Sequence, residues 1–296
     1  MQPISKNPSL FSSPVSGIAL VAEGGGQRGA FTAGVLDSWQ IANFNPFEIL
    51  IGTSAGAQNI ASYLSKQTGY AYTLISNLTN KQQFFSPWRL LKGKNVMDLD
   101  WFFEQANSKF YQFDNQQAAE NSIGRKVRFS ASQSLDFATQ LIDPNLSGWL
   151  QALKHSSAIP YLYKSDSLVD GGVSAPVPVK EAHGLGAHTI LTIRTQVDSQ
   201  NVMPKPIKHM KSLICKEERC PNFLKLWDKH EAAYQQAEAF IQQPPEQVKV
   251  IEIKPERPLA TKVLGSSNQS IVADYKYGFS MGRQFLENQK NSSIIH

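Results

Sequence analysis

Glu48-Ile49-Leu50-Ile51-Gly52-Thr53-Ser54-Ala55-Gly56 is an apolar run that stops at a serine with a glycine two residues to either side. A buried strand that ends in such a G-x-S-x-G turn and continues as a helix crowds its own backbone, and the small residues Gly52, Ala55 and Gly56 let the hydroxyl stand clear. The following stretch, Ala57 to Leu64, has Ile60 and Leu64 one helical turn apart. Ser54 is therefore expected in a nucleophile elbow with Gly52, Thr53, Ala55 and Gly56, at the positive end of a helix.

Upstream the pattern repeats. Ile18 to Ala22 reads as a buried strand, then a glycine loop follows, then Phe31, Val35, Leu36 and Trp39 recur at helical spacing. Two consecutive strand-loop-helix units predict a parallel sheet of the α/β class, with ligands gathered at the strands' carboxyl ends. Later strands are expected at Val127–Ala131, Thr189–Ile193 and Val248–Ile253.

The glycine loop, Gly24-Gly25-Gly26-Gln27-Arg28-Gly29, exposes consecutive backbone N–H groups where an oxyanion would form if Ser54 attacked an ester carbonyl. Arg28 would orient that loop or add positive potential. A third motif, Asp170-Gly171-Gly172, offers a carboxylate in a short turn that can take a proton from Ser54.

Other chemistries fit less well. Gly24-x-Gly26-x-x-Gly29 also satisfies the dinucleotide-binding fingerprint, but that fold needs an acidic residue at the end of the second strand, where this chain has Gly52-Thr53-Ser54. No Lys-Ser/Thr follows Gly29, which argues against a phosphate loop. A Ser/Asp/His triad using His183 or His188 would need a later nucleophile and a His-Gly-Gly-Gly type loop; His155, His209, His230 and His296 lack motif context.

Together the three motifs, in the same order, resemble those of the patatin-like phospholipase family. Ser157-Ala158-Ile159-Pro160 ahead of the Asp-Gly-Gly turn is similar to that family as well, so the likeness runs from about Ile18 to Val179. The resemblance implies a three-layer α/β/α sandwich around a mostly parallel sheet. It also implies a Ser54–Asp170 dyad without histidine and an oxyanion hole from Gly24, Gly25, Gly26 and Arg28. The activity it implies is hydrolysis of acyl esters in phospholipids or lysophospholipids. No metal or cofactor is required, and neither H-E-x-x-H nor an EF-hand pattern is present. A non-catalytic lipid-binding or regulatory protein of the same fold is the alternative; a pure binding module has no need of serine, carboxylate and glycine loop together.

The chain has 296 residues, 41% of them hydrophobic, and no linker or repeat divides it. One domain over residues 1–296 is expected, with residues 180–296 as its C-terminal part and an aromatic helical insertion at 80–121. The insertion carries Phe84, Phe85, Trp88, Trp101, Phe102, Phe103, Phe110, Tyr111 and Phe113. Burial in an ordinary side-packed core is the simpler expectation for those rings, and a lid or acyl-chain pocket the functional one. Phe223, Trp227, Tyr234 and Ile241 predict a core-facing helical stripe.

No run approaches the roughly 20 apolar residues of a membrane-spanning helix, and no export signal is visible, so a cytoplasmic location is expected. Cys215 and Cys220 make neither a disulfide framework nor a zinc site. The net charge is +5, concentrated between Lys205 and Lys229, where seven basic residues face three acidic ones. A solvated surface is the plain account of that stretch, and peripheral contact with an anionic membrane, or with an acidic ligand, the functional one. Nucleic acid is not expected, because aromatic stacking positions do not accompany the charge.

Overall fold

Val15–Ala22 and Phe47–Thr53 form the two central strands, β1 and β2, of a seven-stranded sheet in this computed structural model, which describes residues 13–197 and 221–292. Both strands are apolar on both faces because helices cover both. Ile18, Leu20 and Leu50 enter one core, while Ala19, Val21, Ile49 and Ile51 enter another on the opposite face.

The chain order is β1, α1 (Gly29–Ile41), β2, α2 (Ala55–Leu64), α3 (Tyr70–Leu78), α4 (Leu99–Ala106), α5 (Asn115–Ser122), β3 (Lys126–Gln133) and β4 (Thr139–Ile142). There follow α6 (Pro144–Ser147), α7 (Trp149–Ser156), β5 (Leu168–Asp170), α8 (Val179–Gly184), β6 (Thr189–Ile193), a helix at Pro221–Gln242, β7 (Lys249–Ile253) and a helix at Asn268–Ser292. The strands lie in the order β4-β3-β2-β1-β6-β7, with β5 added to β3. β1, β2, β3, β6 and β7 are mutually parallel, while β4 and β5 run antiparallel to β3. This mostly parallel sheet between helical layers is the expected α/β/α sandwich.

The larger core lies on the side of α1 and α2. There Trp39 is fully buried among Phe44, Phe47 and Phe285, and its indole N–H donates to the Gly282 carbonyl at 3.1 Å. That bond and the packing of α1 along the Asn268–Ser292 helix tie the C-terminal segment to the first helix of the chain. On the other face, Val179, Ala182 and Tyr234 close the smaller core.

The aromatic insertion divides in two. Phe84, Phe102, Phe103 and Phe113 are buried as ordinary core, whereas Trp88 and Phe110 stand in solvent. In the C-terminal stripe Tyr234 is buried and Trp227 and Ile241 are half-buried; the side chain of Phe223 lies outside the described residues. So do Cys215, Cys220, His209, His296 and the basic stretch from Lys205 to Arg219. No helix among the described residues is long and apolar enough to cross a membrane.

Candidate active site

Strand register assembles the site. Ala22 of β1 pairs with Gly52 of β2 on one side and with Ile193 of β6 on the other. The glycine loop, the Ser54 elbow and Arg194-Thr195 therefore leave the sheet side by side at its carboxyl edge. The chain proceeds from β1 outward to β2 and β3, then returns to β1's other side with β6. The glycine loop thus sits at the switch point where α/β sheets open a crevice.

Ser54 joins β2 to α2 with φ 54° and ψ −119°, a conformation that costs a non-glycine residue about 1–3 kcal/mol. Its surroundings hold it there. The Ser54 N–H donates to Ser156 Oγ at 2.9 Å, and that hydroxyl donates to the Ser130 carbonyl at 2.7 Å. Thr53 Oγ1 donates to the Ala175 carbonyl at 2.7 Å, so the Ser130 hydroxyl is the donor in the 2.6 Å bond between Ser130 and Thr53. The flanking glycines are there for space. A Cβ at Gly52 would lie 2.5 Å from the Ala57 backbone, and one at Gly56 would overlap the Ala22 carbonyl oxygen.

Asp170 reaches Ser54 through the sheet. Thr53 pairs with Ser130, and the next residue of β3, Ala131, pairs with Asp170. β5 thus continues along β3 where β2 ends, and its last residue faces the elbow. The Ser54 side chain stands beside the Asp170 carboxylate and favours its ionised form. Gly172 N–H donates to Asp170 Oδ1 at 2.6 Å, and Asp170 N–H donates to the Ala158 carbonyl at 2.9 Å. Burial raises the Asp170 carboxyl from 3.8 to about 6, while the Ser54 side chain and the Gly172 N–H act in the opposite direction.

The glycine loop abuts the elbow: a Cβ on Gly24 would lie 3.6 Å from Ser54 Cβ. Its N–H groups are not equivalent. That of Gly24 donates to the Pro176 carbonyl at 3.2 Å, whereas those of Gly25 and Gly26 are not spent on any acceptor among the described residues. Gly25 and Gly26 are thus the pair free to receive an anion. Arg28 folds back over Gly25, its Nε 3.2 Å from where a Gly25 Cβ would stand, and that Nε is buried without a partner among the described residues.

Two polar clusters fix the loop. Gln27 is fully buried; its amide donates to Thr79 Oγ1 at 2.8 Å and Asn80 Oδ1 at 2.7 Å, and its oxygen accepts from Ser266 N–H at 2.7 Å. On the other side the Glu23 carboxylate is fully buried against Arg194 at 3.2 Å, accepts from Thr195 N–H at 2.5 Å and accepts from the Tyr234 hydroxyl. Arg194 also pairs with Glu238 and, at 3.0 Å, with Glu252. Burial opposes its charge, but Glu23 and Glu238 outweigh burial and hold the guanidinium more firmly protonated than usual.

Glu23, Arg194 and Tyr234 form a support that no sequence motif marked, and His230 is a second omission. Its Nδ1–H donates to the Gly172 carbonyl at 2.5 Å, so the Pro221–Gln242 helix grips the Asp-Gly-Gly turn. Burial holds this imidazole below its ordinary pKa, hence neutral at pH 7. A signal was present: His230 lies three residues after Trp227 and four before Tyr234, on the face of the predicted stripe. His155 bonds Gln151, His183 faces the Ala187 carbonyl and His188 meets Thr189, so none of these bonds the Ser54 or Asp170 side chain.

A strained serine on a β-strand-to-helix turn thus stands beside a buried carboxylate and a glycine loop at the carboxyl edge of an α/β sheet. Residues 20–183, more than half of the chain, match the family described as patatin-like phospholipase, and the chain belongs to that family. Residues 220–292 match a domain of unknown function, DUF6363, which takes in both C-terminal helices. "Uncharacterized protein YjjU" of Escherichia coli (strain K12) is 40% identical over 276 residues, spanning 91% of this chain and 77% of that protein. The crystal structure of VipD from Legionella pneumophila aligns over 93% of this chain and 67% of its own, with a TM-score of 0.46 and 12% identity, a likeness too slight to add to the assignment.

Proposed function

We propose that this patatin-family hydrolase cleaves carboxylic esters of lipids, phospholipid or lysophospholipid, with Ser54 as nucleophile and Asp170 as base. The observation that carries the proposal is a strained Ser54 beside a buried carboxylate that is raised to about 6 and whose ionised form the Ser54 side chain favours. At pH 7 that carboxylate is mostly ionised and is a stronger base than an exposed aspartate.

In the proposed reaction Ser54 Oγ attacks the acyl carbonyl while its proton passes to Asp170. The carbonyl oxygen takes up the negative charge against the N–H groups of Gly25 and Gly26; one such donor is worth about 3 kcal/mol of barrier. Collapse breaks the ester bond, Asp170 returns its proton to the leaving alcohol, and Ser54 keeps the acyl group. Water then attacks the acyl-enzyme, giving one proton to Asp170, and Ser54 leaves with it as the fatty acid is released. The scheme needs no metal or cofactor.

The test is treatment of the pure protein with a fluorophosphonate, followed by peptide mapping. An adduct confined to Ser54, lost in Ser54→Ala, is expected. An unmodified protein that still binds lipid would replace the proposal with a non-catalytic lipid-binding role.

A further inference from the structure

The loop between Phe84 and Asp98 carries a surface that the ester chemistry leaves unexplained. Its base is closed by a bridge between Phe85 and Met97, by Ser86 N–H to the Val96 carbonyl at 3.0 Å and by Asp98 N–H to the Phe84 carbonyl at 2.7 Å. Phe84, Val96 and Met97 are buried and anchor it. Inside the loop, Arg89 donates to the Asn95 carbonyl at 2.8 Å and pairs with Asp98 at 2.5 Å. This brace holds a 3₁₀ helix, Pro87–Lys92, that ends at Gly93.

What the brace presents is apolar and basic. Trp88 is 73% exposed, Leu90 61% and Leu91 79%, with Lys92 and Lys94 exposed beside them. Arg89, the remaining cation, is neutralised by Asp98, and residues 87–97 contain no acid. Scattered apolar residues on a surface need no explanation, but three large ones within four positions, on a braced turn, do. Tryptophan and leucine beside lysine are the composition that enters the headgroup boundary of a bilayer, where the ring and aliphatic chains leave water and the ammonium groups meet anionic lipid.

The loop also lies close to the site. Ser156, which accepts the Ser54 N–H, begins a run to Leu162, whose carbonyl accepts Met97 N–H at 2.9 Å. Six residues of extended chain span at most about 20 Å, so the base of the loop stands within roughly that distance of the elbow.

We propose that the Pro87–Lys94 loop docks this protein on an anionic membrane, with Trp88, Leu90 and Leu91 inserted at the interface and Lys92 and Lys94 on the headgroups. The proposal rests on the lipid-ester reading for its biological sense, and its test is independent of turnover.

Cosedimentation of the full chain would be measured with vesicles of phosphatidylcholine alone and of phosphatidylcholine mixed with phosphatidylglycerol. The parent is expected to prefer the mixed vesicles and to release them at high salt. Leu90→Asp/Leu91→Asp is expected to lose about tenfold or more in binding while keeping its hydrolysis of a soluble short-chain ester and its fluorophosphonate labelling. Lys92→Ala/Lys94→Ala should lose only the preference for anionic lipid. Equal binding by the Leu90/Leu91 variant, or a parent that hydrolyses soluble esters and ignores vesicles, overturns the proposal. So does a Leu90/Leu91 effect on self-association rather than on vesicle binding. A parent that docks through the loop but hydrolyses no lipid would instead overturn the lipid-substrate reading and leave the docking surface standing.

Discussion

Ser54 stands beside an Asp170 carboxylate that burial raises to about 6 and that the Ser54 side chain draws back toward its ordinary value. If Asp170 is the base, only its ionised form is productive, so hydrolysis of a soluble ester should fall on the acid side with an apparent pKa near 6. Asp37 is raised to about 6 as well, chiefly by burial, but it bonds Gly69 N–H and the Tyr275 hydroxyl and not Ser54. Asp37→Asn should therefore keep the acid limb. Asp170→Asn should lower turnover by about a hundredfold or more at every pH. Near-normal turnover in that variant would remove Asp170 from the mechanism.

The same burial has a stability consequence of opposite sense. A carboxyl with a raised folded pKa holds its proton more tightly in the folded state, so its contribution is complete below about pH 3.8 and declines as pH rises to about 6. The shift corresponds to a loss on the order of 2–3 kcal/mol above pH 6. Asp170→Asn, which avoids the buried charge, should resist urea better than the parent at pH 8 and differ little near pH 4. Asp37 is present in both proteins and cancels in the comparison. Equal stability of the two proteins at pH 8 would contradict the buried-charge account.

His230 grips Gly172 by its carbonyl, and the N–H of the same residue donates to Asp170. His230 should act as a positioning residue. His230→Ala is expected to lower kcat about tenfold with KM nearly unchanged and to move the acid limb upward, because a loosened Gly172 N–H stabilises the carboxylate less. His230→Gln, which retains a donor, should restore most of the loss. A fall in activity with the acid limb unmoved and no rescue by glutamine would reduce His230 to a packing residue.

The ionic support of the glycine loop predicts an asymmetry between its partners. Arg194→Met would leave Glu23 buried and uncompensated beside Glu238 and Glu252, a loss of about 3–5 kcal/mol by chemical denaturation. Glu23→Gln removes one charge and leaves Arg194 two carboxylates, so it should cost less stability while lowering ester turnover through a displaced loop. A harmless Arg194→Met would show that the network does not carry the loop.

Much of the architecture is local and therefore legible. Ile18–Ala22 and Glu48–Ile51 are apolar without alternation because both sheet faces are covered, and the predicted strands at Val127–Ala131, Thr189–Ile193 and Val248–Ile253 occur as β3, β6 and β7. β4 and β5 are not legible in the sequence, because strands of four and three residues carry too little pattern. The Asn268–Ser292 helix, which lies along α1, likewise carries no motif that marks it.

The sequence by itself determined the α/β class, the elbow around Ser54 and the three motifs, because each depends on neighbours within a few residues: a glycine for space, an apolar run for a buried strand. The tertiary structure alone decided what those motifs meet. The step from Ser130 to Ala131 on β3 turns Asp170 toward Ser54, and Pro176 takes the Gly24 N–H, so the free donors are those of Gly25 and Gly26. Arg194 and His230 hold the two loops from 171 and 58 residues away in the chain. Such contacts follow from strand register and helix docking, which are set by the burial of whole faces and leave no mark on the spacing of the residues they join.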